Sequence, residues 1–312
     1  MESLLSTREV ADRLNVDTKT VLRYLQRGKL RGARIGRDYR IPESALAALL
    51  GTPATESRTG NARITAVVNQ KGGVGKTTTT FNLGVALERL GRRVLLVDLD
   101  PQAALSVSAG VPIAHLSVSI YQALITDGLD PKPIVVKTAS GVDVLPATID
   151  LAAAEIELVN VTLRELVLKE VLAQLKGDYD HILIDCPPSL GLLTINALAA
   201  ADRVIIPLQC EYLATRGLNL LMRTLQKIQG KLNRGLTIAG ILPTMFDGRT
   251  THANEVLHEL RSSFPGQVYD VVIKYTVRLK ESPAAGASIL DYDRGHEVAL
   301  AFQQLAVEVD HA

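Results

Sequence analysis

The feature that most constrains this chain is a glycine-rich loop at residues 69–78, which reads Asn-Gln-Lys-Gly-Gly-Val-Gly-Lys-Thr-Thr. In a phosphate-binding loop, backbone N–H groups surround the phosphates, a lysine reaches the β- and γ-oxygens, and a hydroxyl binds Mg²⁺. Lys76 and Thr77 stand at those two positions. Gln70 replaces the usual first glycine, and a second lysine, Lys71, stands at the loop entrance. The loop therefore predicts a site for a nucleoside phosphate with one additional cation.

The segments on either side of this phosphate loop fit a strand-loop-helix unit. Residues 64–68 form a short apolar run, and residues 77–90 carry a wide apolar face that ends at Gly91. The first N–H groups of that helix would point at the phosphates. An isolated glycine-rich stretch is often only a turn, but the strand, lysine, hydroxyl and helix in register favour a nucleotide site. The predicted nucleotide contacts are Lys71, Gly72, Gly73, Val74, Gly75, Lys76, Thr77 and Thr78.

Two other apolar runs end in aspartates. Residues 94–97 are followed by Asp98 and Asp100, and residues 181–184 are followed by Asp185. The carboxyl ends of parallel strands are where open α/β sheets bind ligands. Solvated strand-end aspartates are the alternative, but all three follow buried runs beside a phosphate loop, which favours a functional site.

The motifs Lys-Gly-Gly-Val-Gly-Lys-Thr-Thr and Asp-Cys-Pro-Pro, the second beginning at Asp185, resemble those of the ParA/MinD family of deviant-Walker ATPases. The resemblance implies ATP and Mg²⁺ as cofactors, and a Lys71 that reaches across a dimer interface to the partner's nucleotide. It also implies that Asp98 contacts the nucleotide and that Asp100 positions the attacking water. The predicted catalytic residues are Lys71, Lys76, Asp100 and Asp185, and the predicted Mg²⁺ site comprises Thr77, Asp100 and Asp185.

The first fifty residues have a different character, with ten basic and six acidic residues. Residues 6–9 form a capping box before one helix, residues 18–27 form a second helix, and a hairpin turns at residues 36–38. This segment resembles the excisionase or MerR-like winged helix-turn-helix domains, which implies DNA contacts from Lys19, Arg23 and Arg37. A basic protein-interaction module is the alternative. The concentration of charge on the second helix and the wing favours DNA.

Composition sets the domain organisation. Residues 51–61 are rich in Thr, Ser, Gly and Pro and predict a linker between a 1–50 DNA-binding domain and a 62–312 ATPase domain. The predicted fold of the larger domain is a doubly wound, mostly parallel sheet with helices on both faces, as in P-loop NTPases. The sequence contains no apolar run of about 18 residues and its start lacks signal-peptide features, so we expect a cytoplasmic protein.

The family resemblance continues beyond Asp185 nearly to the end of the chain. It implies nucleotide contacts from Thr244 and Met245, and DNA contacts without sequence preference from Arg249 and Arg278. The sequence departs from the family at residues 274–276, where Lys-Tyr-Thr replaces the usual Pro-Arg-Asn. That departure weakens the transfer of adenine contacts from this loop.

The predicted function is a DNA-partitioning ATPase that forms a homodimer on ATP, binds double-stranded DNA on the nucleoid and releases it on hydrolysis. The resemblance also implies a ParB-like partner that accelerates hydrolysis. A MinD-like membrane organiser is disfavoured because residues 299–312 contain no Lys or Arg, which a basic membrane-binding helix requires. A nucleotide-switched transcription regulator acting through the winged helix stays open as the alternative.

Overall fold

The computed structural model describes residues 4–14, 18, 21–22, 25, 32–35, 38–42, 62–211 and 214–311. The chain divides into two compact units, residues 1–59 and residues 60–312. The linker predicted at residues 51–61 lies outside the described residues. The finer division of the chain at residues 50 and 62 therefore stays a prediction.

The first unit contains a small antiparallel sheet and one described helix. Its elements are β1 (Leu4–Ser6), α1 (Thr7–Leu14), β2 (Ala33–Ile35) and β3 (Asp38–Pro42), and the strand order is β1-β3-β2. The predicted capping box is confirmed, because the Ser6 N–H donates to Glu9 Oε2 (2.7 Å) and the Glu9 N–H donates to Ser6 Oγ (3.3 Å). The predicted DNA contacts Lys19, Arg23 and Arg37 lie outside the described residues.

The second unit is built on a seven-stranded sheet. Its strands are β4 (Arg63–Val67), β5 (Val94–Asp98), β6 (Val136–Lys137), β7 (Asp143–Leu145), β8 (His181–Asp185), β9 (Arg203–Gln209) and β10 (Thr237–Thr244). The strand order is β10-β9-β4-β8-β5-β7-β6, and every neighbouring pair is parallel except β6 with β7. The predicted mostly parallel, doubly wound sheet is confirmed.

Helices connect the strands of this sheet. They are α2 (Lys76–Arg89), α3 (Ala104–Ser108), α4 (Ile120–Ile125), α5 (Leu151–Glu157), α6 (Val167–Ala173), α7 (Leu192–Ala200), α8 (Ala214–Lys231), α9 (Thr251–Ser263), α10 (Arg278–Ala284), α11 (Ile289–Tyr292) and α12 (Glu297–His311). No helix among the described residues is long and apolar enough to cross a membrane.

Each face of the sheet has its own buried core. In β8, Ile182 and Ile184 belong to one cluster and Leu183 belongs to the other, because alternate side chains of a strand point to opposite faces. The first cluster includes buried residues of α4, α6, α7 and α8, and the second includes buried residues of α2, α11 and α12. Strands covered on both faces read as continuous apolar runs, and the aspartates of the predicted site follow such runs at the strand ends.

The C-terminal helix α12 is fixed at the amino-terminal edge of the sheet. Its Asp310 accepts two hydrogen bonds from Arg92 (2.8 and 2.7 Å) and pairs with His181 Nε2 (3.0 Å), while Arg203 donates to the Val309 carbonyl (2.8 Å). This edge is opposite the phosphate loop. The ion pairs there hold the sheet and α12 together without entering the site.

Candidate functional site

The phosphate loop at residues 69–78 leaves β4 and enters α2. Gly73 and Gly75 have φ angles of +74° and +88°, in the left-handed region that favours glycine. A Cβ added at Gly72 or Gly73 would meet no atom within 4 Å, so the outer face of the loop is open. The loop thus presents backbone N–H groups and the amino-terminal end of α2 to a space that an anion can enter.

Two hydrogen-bonding side chains hold the loop in place. Asn69 donates from Nδ2 to the Pro207 carbonyl (2.7 Å), and its Oδ1 accepts from the Lys71 N–H (3.0 Å). Thr244, at the end of β10, donates from Oγ1 to the Val74 carbonyl (2.8 Å). The sequence predicted nucleotide contact for Thr244 and no role for Asn69. The structure makes both of them supports of the loop backbone.

The two lysines of the loop point in different directions. Lys76 is buried, and its Nζ donates to the Lys71 carbonyl (3.2 Å). Burial lowers the pKa of Lys76, opposed chiefly by the charge of Asp185. The Lys71 side chain is 51% exposed, and its ammonium pairs with Glu211 and Gln209 at the end of β9. Lys76 therefore lies within its own site, and Lys71 projects from it.

The carboxylate of Asp185 lies beside the hydroxyl of Thr77. Thr77 Oγ1 donates to Asp185 Oδ2 (2.6 Å), while Oδ1 of the same buried carboxyl has no hydrogen-bond partner among the described residues. Burial, reinforced by Asp98, raises the pKa of Asp185 well above its usual range. Mg²⁺ in nucleotide sites is held by one or two carboxylates together with phosphate oxygens. Thr77 and Asp185 fit that role, because the unpaired oxygen is available as a ligand.

Asp98 and Asp100 differ in exposure. Asp98 is fully buried and lies opposite Asp185 in the sheet. Its carboxylate accepts from the Ser106 N–H (2.8 Å), the Ser106 hydroxyl (2.7 Å) and the Asp100 N–H (3.2 Å). Burial raises the pKa of Asp98 to about 6. The structure places Asp98 beneath the site as a support for the following loop, and its predicted contact with nucleotide stays a prediction.

Asp100 lies on the loop that Asp98 supports. Its carboxylate is partly exposed and accepts from the Gln102 N–H (2.9 Å). Ala103, three residues further on, has a φ angle of +52°, a conformation that non-glycine residues rarely adopt. A supported loop with a strained residue is typical of a functional segment. Asp100 is therefore placed at the carboxyl edge of the sheet, where a water-positioning group is needed.

A cleft of about 70 Å³ adjoins the amino-terminal end of α2. Its lining includes two predicted nucleotide contacts, Thr244 at the end of β10 and Met245 directly after it, together with the segment at residues 274–276 that departs from the family pattern. Met245 has a φ angle of +50°, which marks a second strained position at the site. The cleft is lined by Gly75, Thr78, Thr79, Thr244, Met245, Ile273, Lys274, Tyr275, Thr276, Leu279 and Lys280.

Arg249 and Arg278, the cations predicted to contact DNA, form ion pairs within the chain. Arg249 is 88% exposed and makes two hydrogen bonds to Asp247 (2.8 and 2.7 Å). Arg278 donates to Glu281 (3.0 Å). Exposed pairs of this kind are weak, so a phosphate can displace the acid. Their role in DNA binding stays a prediction.

Comparison with known proteins agrees with this geometry. A family model described as an AAA domain matches residues 62–238, and one described as a helix-turn-helix domain matches residues 4–52. The chain is 48% identical over 247 residues to the sporulation initiation inhibitor protein Soj of Bacillus subtilis, covering 79% of this chain and 98% of that protein. It is 43% identical over 249 residues to the chromosome partitioning protein ParA of Caulobacter vibrioides, covering 79% and 93%.

Solved structures show the same relationship. A Mycobacterium smegmatis protein described as cobyrinic acid a,c-diamide synthase, with bound ADP and magnesium, is 43% identical with a TM-score of 0.70, covering 79% of this chain and 93% of that one. The septum site-determining protein MinD of Pyrococcus horikoshii, complexed with Mg-ADP, is 30% identical with a TM-score of 0.65, covering 80% and 96%. The phosphate loop, the Thr77–Asp185 pair and these relatives together place the chain in the ParA/MinD family of ATPases, with ATP and Mg²⁺ as its cofactors and a helix-turn-helix domain before the ATPase.

Proposed function

We propose that this chain is a DNA-partitioning ATPase. Two ATP-bound copies close on each other, the closed dimer binds double-stranded DNA on the nucleoid without reading sequence, and hydrolysis releases it. A ParB-like partner accelerates the hydrolysis step. The observation that carries this proposal is the opposite orientation of the two lysines in one phosphate loop, Lys76 buried in its own site and Lys71 exposed at the surface.

The environment of Lys71 suits a cation that serves a second copy of the chain. Its ammonium is held at the surface by Glu211 and Gln209, both close to the carboxyl edge of the sheet. An exposed lysine-carboxylate pair contributes about 0–1 kcal/mol. The phosphates of a facing site carry more negative charge than Glu211, so they compete effectively for Lys71. Dimer closure would then exchange one ion pair for a stronger one.

Exposed apolar side chains in the segment after β7 support a protein-protein surface. The segment after β7 exposes Ile149 (67%), Ile156 (76%) and Leu163 (62%). Scattered apolar residues at a surface are ordinary, but several large ones within fifteen residues favour a contact that covers them. Ile149 lies only four residues beyond the end of β7, at the carboxyl edge. This surface is available to a second copy or to the stimulating partner.

The chemistry follows from the placement of four side chains. Lys76 and the loop N–H groups bind the phosphates, and Thr77 and Asp185 would hold Mg²⁺, which supplies positive charge at the β- and γ-oxygens. Asp100 orients the attacking water. Catalysis of phosphoryl transfer depends mainly on such positioning and charge stabilisation. Loss of the γ-phosphate removes the anion that holds Lys71, and the two copies separate.

Two alanine variants of the phosphate loop test the proposal. Lys76→Ala is expected to abolish ATP binding because it removes the cation on the β- and γ-phosphates, whereas Lys71→Ala is expected to keep ATP binding and lose the dimer. Binding of a fluorescent ATP analogue and molar mass in solution report the two properties. Lys169→Ala, an exposed lysine on α6, is the control. A Lys71→Ala variant that dimerises normally with ATP contradicts the cross-interface role.

A second candidate function is a nucleotide-switched transcription regulator, favoured by the helix-turn-helix match at residues 4–52. Footprinting on the DNA upstream of the gene, with ADP and with ATP, separates the two functions, because only a regulator protects a defined sequence. ATP turnover in the absence of cobyrinic acid separates both from the activity described for the M. smegmatis relative.

A further inference from the structure

A long acid-free segment surrounds α8. The sequence contains no Asp or Glu between Glu211 and Asp247, yet it contains five Arg or Lys residues there. Four of them are exposed on α8 and on the turn that follows it: Arg223, Lys227, Lys231 and Arg234. We call these four residues the α8 stripe. Neither the phosphate loop nor the cations predicted to bind DNA are part of it.

The helix geometry aligns the α8 stripe on the outer side of α8. Arg223, Lys227 and Lys231 are spaced four residues apart, so they follow one side of the helix over about 12 Å at 1.5 Å per residue. The opposite side of α8 is buried in the core through Leu218, Leu221, Leu225 and Ile228. Because that apolar side is already packed, α8 cannot insert it into a membrane. The exposed side carries the three cations, with an exposed apolar residue, Leu220, a turn before Arg223.

The α8 stripe differs in its ion pairing from the other cations predicted to bind DNA. None of the four forms an ion pair with an acid in the part of the chain that the structure describes, whereas Arg249 and Arg278 both do. Like charges four residues apart on a helix repel each other and destabilise it slightly. The repulsion within the stripe therefore weakens α8 slightly. A polyanionic ligand provides a reason for it.

We propose that the α8 stripe binds the phosphate backbone of double-stranded DNA. The duplex carries one negative charge per about 1.7 Å of its axis, so 12 Å of helix faces roughly seven phosphate charges. Contacts from Lys and Arg to phosphates give affinity without sequence preference. The proposal rests on the proposed function for the identity of the ligand, but this contact needs neither ATP nor a second copy of the chain.

The helix that carries the α8 stripe packs on the same face of the sheet as α9, the helix that follows Arg249. Helix α9 begins two residues after Arg249, and its Leu260 lies in the same buried cluster as the inner face of α8. Helices α8 and α9 therefore cover the same face of the sheet, at the edge formed by β9 and β10. The stripe would therefore add phosphate contacts to the one predicted for Arg249.

The test compares two triple glutamine variants of the full chain. In the first, Arg223, Lys227 and Lys231 are each replaced by Gln. In the matched control, Lys132, Lys137 and Lys169 are each replaced by Gln, which gives the same change in net charge; Lys137 lies on β6, at the opposite edge of the sheet. Affinity for a random-sequence duplex is measured against salt, with ADP and with a nonhydrolysed ATP analogue.

We expect the α8 variant to lower the slope of log affinity against log salt by about 0.9 × 3 for each bound copy. At about 0.1 M salt the affinity should fall more than tenfold, while the control, ATP turnover and thermal unfolding stay close to the parent chain. An unchanged slope overturns the proposal. An equal loss in the control also overturns it, because the effect would then be one of overall charge.

The same measurements separate this proposal from the proposed function. If the parent chain binds DNA equally with ADP and the ATP analogue while the α8 variant loses affinity, the ATP dependence of DNA binding in the proposed function is contradicted and the α8 stripe is supported. If ATP strengthens binding and the α8 variant matches the parent chain, the stripe is contradicted alone. Binding to vesicles of anionic phospholipid is measured as well. If the α8 variant keeps its DNA binding but loses its binding to these vesicles, the stripe contacts a lipid surface and the proposed DNA contact is overturned.

Discussion

Side chains of one type perform different roles in this site because the surrounding chain sets their exposure. Lys76 is buried and bonded to its own loop, while Lys71 is half exposed and paired with Glu211. Asp98 is fully buried with three hydrogen bonds, and Asp100, two residues later, is partly exposed. Their residue types give the charges, and their burial decides which of them a ligand can reach.

Asp100 provides the first prediction at this scale. Asp100→Ala is expected to keep ATP binding and dimer formation and to lower the hydrolysis rate by about 100-fold, because a group that positions or activates water contributes about 10²–10⁴. Phosphate release under saturating ATP measures the rate, and Asp127→Ala, at an exposed position, is the control. Turnover equal to that of the parent chain would remove Asp100 from the mechanism.

The raised pKa of Asp98 predicts a pH-dependent stability. The folded chain holds this carboxyl at a pKa of about 6, above its ordinary value of 3.8, because the group is buried. A raised pKa means that the folded state binds the proton more tightly, so this contribution is full below pH 3.8 and is lost as pH rises through about 6. Between pH 4.5 and 7.5 the contribution of this carboxyl to the free energy of unfolding falls by about 2 kcal/mol.

The variant Asp98→Asn removes that contribution and also the part of the raised Asp185 pKa that the charge of Asp98 causes, which acts in the same direction. His181 acts in the opposite direction. Burial lowers its pKa, so the stability that neutral His181 gives the folded chain is lost as pH falls. The informative quantity is therefore the difference in unfolding free energy between the variant and the parent chain, measured without nucleotide or Mg²⁺. As pH rises, we expect the unfolding free energy of the parent chain to fall relative to that of the variant. A difference that does not change with pH would contradict the raised pKa.

At the scale of helices and strands, the elements with a continuous local signal were predicted closely. The helix predicted at residues 77–90 is α2 (Lys76–Arg89), and the predicted stop at Gly91 has a φ angle of +78°. The apolar runs that precede Asp98 and Asp185 are β5 and β8. Buried parallel strands and a glycine-terminated helix depend on residues within the segment, so the sequence is sufficient to locate them.

Elements and contacts that depend on distant residues were not predicted. The three-residue strand β1 exists because β3 pairs with it. The support of the phosphate loop by Asn69 depends on Pro207, 138 residues away, and the support of Asp98 depends on Ser106 in the next helix. Short strands and polar side chains carry little periodic signal of their own. The α8 stripe was visible as an acid-free run, but only its exposure distinguishes it from a buried helix.

The ion pairs that attach α12 to the sheet predict an effect on stability. Asp310→Ala is expected to destabilise the second unit by about 3 kcal/mol, because it leaves His181 buried without its partner and removes both bonds to Arg92. Thermal unfolding measures the change. Asp178→Ala breaks an exposed pair with Lys132 and should leave the midpoint of thermal unfolding close to that of the parent chain. Equal effects of the two variants would show that the α12 pairs contribute no more than surface pairs.

At the scale of the whole molecule, charge is distributed unevenly between the two units. Residues 1–50 contain four more basic than acidic residues, whereas residues 51–312 contain three more acidic than basic residues. Charges beyond about 8–10 Å are screened at physiological salt, so the larger unit cannot attract DNA through its overall charge. Any DNA contact by the ATPase unit must come from a local group of cations such as the α8 stripe.

The last prediction concerns the separate functions proposed for the two units. A truncated chain that begins at Asn61 retains the whole phosphate loop, both buried clusters and the α8 stripe, because all of them lie beyond residue 61. We expect it to fold, to hydrolyse ATP at the parent rate and to bind random-sequence DNA.

Any preference of the full chain for a defined operator should disappear in the truncated chain, because the helix-turn-helix match ends at residue 52. Thermal unfolding, phosphate release and competition between operator and random duplexes measure these properties. The matched control is the full chain with Lys19→Gln and Arg23→Gln, which should lose the same preference while keeping the first unit. If the truncated chain loses its cooperative unfolding transition, the core of the ATPase depends on the first unit. If the truncated chain keeps the operator preference, the ATPase unit itself reads the DNA sequence.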